Sequence, residues 1–204
     1  MVRFSARELR DLLVAWVALG IAFSFFLDRR LARGVFAGQL PVGDALVTLA
    51  LSMATVGVGF LLHELAHKVV ATRFGQVAEF RADYGMLVLA IGAGLAGFLF
   101  AAPGAVYHRG RIDARQNGLI AVAGPLTNVG LAVVFAPLLV VPSLARVGTL
   151  GVSVNLLLGT FNMLPFGPLD GRKVLSWSKL AFLASFLLCA GLSAVALLRI
   201  GVGL

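Results

Sequence analysis

The chain is poor in charge, in cysteine and in histidine. Charged residues make up 13% of its 204 residues, where a soluble domain carries about a quarter, so an ordinary soluble fold is excluded. The single cysteine, Cys189, excludes an intrachain disulfide. No small-residue cleavage site follows the first apolar run, residues 12–27, so no cleavable signal peptide is expected. Acidic residues number only 9 against 17 Lys and Arg, leaving a net charge of +8. The basic residues sit in short polar segments between apolar runs. There they set orientation and meet anionic headgroups, so no nucleic-acid partner is expected. No internal repeat is visible.

What the chain has instead is long hydrophobic runs. Hydrophobic residues reach 60% and the mean hydropathy is +0.99. Runs approaching the roughly 20 residues that cross a bilayer fall at 12–27, 45–72, 118–141, 147–163 and 180–200. The segment 86–107 is apolar and glycine-rich, then meets Pro103 and Gly104 and a short β-like run, 105–107. The expectation is an all-α polytopic membrane protein, one membrane-embedded domain over 1–204. It has about five to six transmembrane helices, a re-entrant helix or β-like element, and lipid around it. The polar stretch 28–44 reads as a loop. The connector 74–84 reads as a polar segment holding a surface strand.

One apolar run carries chemistry. His63-Glu-Leu-Ala-His67 lies in its second half. On a helix, positions i and i+4 share a face, so both imidazoles can meet one metal ion. Zinc suits two imidazoles and a carboxylate with one position left open. Glu64, turned about 100° from His63, stands beside that position, where it can act as general base. The bland alternative is a helix with chance polar residues. Ionisable groups at membrane depth are costly, which weakens that alternative.

A third ligand is needed. His108 is the remaining histidine, in a loop between arginines. Asp170 is the stronger candidate, in a Pro-Leu-Asp-Gly turn after an apolar span, although it could simply cap the next helix. Topology bears on the choice. If residues 86–102 cross fully, Asp170 emerges on the side opposite His67. If 86–107 dips in and returns, Asp170 emerges beside it. The re-entrant reading also gathers most of the 17 basic residues on one side, leaving Arg29, Arg30, Arg33, Arg146 and Arg199 opposite. By the positive-inside rule the N-terminus and the mouth of the site then face the cytoplasm.

Three motifs in order, His63-Glu-Leu-Ala-His67, Gly124-Pro-Leu-Thr-Asn128 and Phe161-Asn-Met-Leu-Pro-Phe-Gly-Pro-Leu-Asp-Gly171, resemble the site-2 protease family of intramembrane zinc metalloproteases. The resemblance covers roughly residues 45–173. It implies zinc below the membrane surface, held by His63, His67 and Asp170, with Glu64 as catalytic base. It implies a zinc-dependent metalloendopeptidase that cuts a membrane-protein substrate in or near a transmembrane helix, as in regulated intramembrane proteolysis. It also implies that Asn162 lines the site. By residue type Asn162 could bind substrate or an oxyanion, or could satisfy broken-helix carbonyls. Asn128 could serve the site or only helix packing around Pro125. Neither the inserted PDZ-like domain nor the C-terminal nucleotide-sensing module of many relatives is expected here. Two further readings are a non-catalytic membrane scaffold, against which Glu64 argues, and a metal transporter, which would need a symmetric pair of polar helices.

Overall fold

The computed structural model describes residues 2–98 and 103–201. They are mostly helical. In chain order they form α1 (Ala6–Leu27), α2 (Arg29–Ala37), α3 (Val42–Ser52), α4 (Val58–Arg73), β1 (Val77–Ala82), α5 (Tyr84–Ala96), β2 (Gly104–Arg109), α6 (Ala114–Phe135), α7 (Ala145–Asn162), α8 (Asp170–Trp177) and α9 (Lys179–Arg199). The two strands pair in a two-stranded sheet.

Local chemistry places the boundaries. Ser5 caps α1 by accepting from the Glu8 N–H at 3.1 Å. Asp28 caps α2 by accepting from Arg30 N–H at 2.9 Å. Gly38, at φ 65°, ends α2 in the left-handed conformation that glycine adopts without strain. The stretch expected to be a loop is therefore partly helical. Its arginines mask an amphipathic helix whose Leu31 and Ala32 are buried. Asp113 and Gln116 form a reciprocal capping box at the start of α6.

Four of the described helical stretches are long and apolar enough to cross a membrane: Ala6–Leu27, Val42–Arg73, Ala114–Val140 and Lys179–Arg199. That is fewer than the five to six expected. The run expected at 147–163 is helical, as α7, but Arg146, Asn155 and Asn162 lower its hydropathy. The apolar run at 86–107 divides. Its first part is in α5, whose 13 residues extend only about 20 Å. Its last part is in β2, and residues 99–102 lie outside the described ones.

The chain packs as two units. In the first, built from Gly59–Glu79 and from Val106 onward, α6, α7, α8 and α9 enclose two apolar clusters. One is centred on Ala121, Met163, Val174 and Cys189, the other on Ala132, Val152, Leu156 and Ala196. Burying such side chains contributes roughly 25 cal/mol per Å² where the alternative is water. In the second unit α1 packs against α3 and α5. A π-helical turn, Met53–Gly57, interrupts the long second helix. The Trp16 indole N–H donates to the Met53 carbonyl at 3.1 Å, and its ring occupies the space a Cβ on Gly57 would need. The Met53 carbonyl also accepts from the Val58 N–H across the widened turn, so it serves two donors.

Candidate metal centre

Three side chains converge within the first unit. His63 and His67 stand one turn apart on α4, and Asp170 is the first residue of α8. All three are buried, and their donor atoms lie within 4.8 Å of one another. Asp170 Oδ2 is 3.3 Å from His63 Nε2 and 3.1 Å from His67 Nε2. Its other oxygen, Oδ1, accepts from Lys173 Nζ at 3.2 Å. Asp170 does not cap α8. The cap position is Leu169, and no side chain caps there. The turn at 164–169 is aimed by glycine. A Cβ on Gly171 would collide with the Met163 carbonyl, so only glycine lets α8 begin this close to the end of α7.

Each imidazole is fixed from behind. His63 Nδ1 is 2.6 Å from Asn128 Oδ1, and His67 Nδ1 is 2.7 Å from the Ile120 carbonyl. Both partners are acceptors, so each Nδ1 carries a proton; in a neutral ring that leaves the lone pair at Nε2. Burial pushes the Asp170 carboxyl up. The two histidines that face it, His67 first, override that and hold it well below the usual carboxylate range. Two lone pairs and a carboxylate oxygen facing one point repel unless a cation lies among them. Donors about 2.0–2.1 Å from a tetrahedral zinc stand roughly 3.3 Å apart, matching the two distances to Asp170. Gly124 of α6 forms the floor: a Cβ there would come within 2.5 Å of both Nε2 atoms. The donor set, its spacing and this floor fit zinc.

Comparison with known proteins agrees. "Putative zinc metalloprotease MJ0611" of Methanocaldococcus jannaschii is 41% identical over 182 residues, covering 86% of this chain and 87% of that protein. The chain belongs to the site-2 protease family. Two proteins of like description match in part. YwhC of Bacillus subtilis is 32% identical over 59% of the chain and 65% of its own length. Rip3 of Mycobacterium tuberculosis is 34% identical over 66% of the chain and 30% of its own length. No family model matches, and no solved structure matches. For this site-2 protease the cofactor is zinc, which fits the His63, His67 and Asp170 cluster.

The other residues that the sequence singles out fall in different places in this site-2 protease. Glu64 is buried on α4 beside His63, and the Val106 N–H of β2 donates to its carboxylate. Asn128 lies behind His63: its side chain is fully buried and bonds the ring directly. Asn162 donates to the Leu158 carbonyl of its own helix at 3.0 Å, so its amide serves a helix carbonyl. His108 lies on β2, outside the three-residue cluster. Burial, then Lys173 and His67, lower its pKa. Sequence reasoning missed Asn155 of α7, which is fully buried and bonds Asn128. Its one signal was a lone amide in an apolar run.

Proposed function

We propose that this chain hydrolyses a peptide bond in or near a transmembrane segment of a membrane-protein substrate, the chemistry of regulated intramembrane proteolysis. One observation carries the proposal. Two members of a buried zinc-type donor set, His63 and His67, lie with an adjoining carboxylate on a helix that is part of the membrane-length stretch Val42–Arg73. His63, His67 and Asp170 would hold the ion, which supplies Lewis acidity to polarise the scissile carbonyl and acidify water. Glu64 takes a proton from the attacking water at its carboxylate and delivers it to the leaving amine as the C–N bond breaks. The Val106 N–H steadies that carboxylate. A substrate helix must unwind first, because its carbonyls are tied up in i to i−4 bonds. The β2 strand is a template on which an unwound segment could add.

The topology we propose has five spans, with α7 as the fourth, and a re-entrant element between β1 and β2. Support comes from within the second unit. α5 departs at Asp83, and the Asp83 N–H donates to the Pro103 carbonyl at 3.0 Å. This bond holds the two ends of the segment together, which supports a re-entrant path. Along the way α5 runs beside α1 in the same direction. Tyr84 bonds Asp11 near the start of α1, and Gly94 packs on the Ala22 carbonyl further along it. That topology puts His67 and Asp170 at one face. The distribution of basic residues favours a cytoplasmic position for this face and the N-terminus.

The test uses purified protein in liposomes with a single-span reporter substrate. Glu64→Gln is expected to keep zinc and lose about 100- to 10,000-fold in cleavage rate. Full cleavage by a zinc-loaded Glu64→Gln protein would remove Glu64 from its role.

A further inference from the structure

We propose that Asn155 is a positioning residue of the metal centre, acting on His63 through Asn128 without touching the ion. The inference rests on the metal-centre reading above and assigns a role in it to a residue outside the three motifs.

Hydrogen-bond polarity propagates from one end of this relay to the other. The Gly151 carbonyl can only accept, and it receives Asn155 Nδ2 at 2.8 Å. That fixes the amide: Asn155 Oδ1 must point the other way, where it receives Asn128 Nδ2 at 3.0 Å. The Gly59 carbonyl also accepts from Asn128 Nδ2, at 3.2 Å. With both acceptors on its nitrogen, Asn128 turns its oxygen to His63 Nδ1 at 2.6 Å. An acceptor there requires Nδ1–H, which leaves the lone pair at Nε2, the atom facing Asp170. If the Asn128 amide turned over, its NH₂ would face Nδ1 and drive the proton to Nε2, where it blocks a metal. Asn155 supplies one of the two acceptors that prevent this turn.

Two details show that the arrangement is built. Asn128 and Asn155 are both 0% exposed, so no solvent substitutes for either partner. Gly59 leaves room for the approach: a Cβ on it would overlap Asn155 Oδ1. Asn155 thus packs against bare backbone at the start of the segment that carries both histidines.

The test measures zinc affinity of the detergent-purified chain by competition with a chromophoric chelator. It is paired with ¹⁵N spectroscopy of the histidine tautomers in the metal-free protein. Three histidines keep that spectrum assignable. Asn155→Leu, similar in size, is expected to bind zinc about 10-fold more weakly, the scale of outer partners of a metal ligand. It is also expected to raise the Nε2–H tautomer of His63. A merely structural role would lower the melting temperature and leave the tautomer alone. An unchanged affinity or an unchanged tautomer in folded Asn155→Leu overturns the inference. Should that variant not fold, the wild-type spectrum decides: Nδ1–H on His63 supports it, and Nε2–H overturns it. His63→Ala is the separate control. If it leaves zinc binding intact, the metal-centre reading itself fails, whatever Asn155 does.

Discussion

Each unit of this protein buries a polar cluster, and the two clusters differ in what is left over. In the second unit, Glu8 and Asp11 are almost wholly buried on α1. Backbone and hydroxyl donors meet both carboxylates. Glu8 accepts from the Phe80 N–H at 3.0 Å, and Asp11 accepts from the Ala82 N–H at 3.4 Å and the Tyr84 hydroxyl at 2.7 Å. These carboxylates stand in for a neighbouring strand along β1. In the first unit, the outward-facing atoms of His63, His67, Asn128 and Asn155 are satisfied just as fully. Only Nε2 of each histidine and Oδ2 of Asp170 turn inward to a common point. Buried charge is therefore not itself the mark of function here. The mark is a set of acceptors that converge with no donor between them.

That contrast predicts opposite behaviour on mutation. The largest effect belongs to the converging set. Asp170→Ala and His67→Ala should each weaken zinc binding more than roughly 100-fold, beyond the loss from an outer partner, as metal content by mass spectrometry will register. Next comes the satisfied set. Asp11→Ala should cost roughly 1–3 kcal/mol by removing a buried charged acceptor from two donors, seen as a lower melting temperature, with zinc stoichiometry of the folded protein unchanged. Loss of zinc from folded Asp11→Ala would erase the distinction between the clusters. A smaller effect is expected from Gly59→Ala, whose methyl must push Asn155 aside. A drop of a few-fold in zinc affinity would track the relay rather than the ligands. The smallest concerns pH. His108 has a lowered pKa, first from burial, then from Lys173 and His67. Its neutral form is favoured by folding, so its contribution is present above the ordinary histidine value near 6.5 and is lost as pH falls through the lowered one. His108→Gln should flatten that slope slightly in melting curves taken between pH 5 and 7.

The candidate ligands are legible in the sequence because helix periodicity is written in residue spacing: His63 and His67 declare a shared face. Asp170 is legible because two prolines and two glycines mark a break in an apolar run. What fixes the imidazoles is less so. Asn128 stands out beside Pro125, but its bond to His63 is tertiary, spanning 65 positions. Asn155 has no spacing relation to the histidines at all. Asn162 has the residue type for an oxyanion and also donates to a carbonyl of its own helix, a bond only geometry reveals. In the fold, alternation and turn chemistry reveal β1 and the strand after Pro103. The helix α2 stays hidden, because nine residues with three arginines resemble a polar linker until Asp28 and Gly38 are seen capping it.

Gly124 has a consequence for heredity. It holds the imidazole nitrogens against bare backbone, and any Cβ placed there enters the space they share. Every missense change in its codon supplies such an atom, alanine and serine included. In a saturation library this codon would tolerate as little as the codons for His63 and His67, although glycine donates nothing to the ion. The position is a point where selection acts on emptiness, and the chain has no neutral route through it.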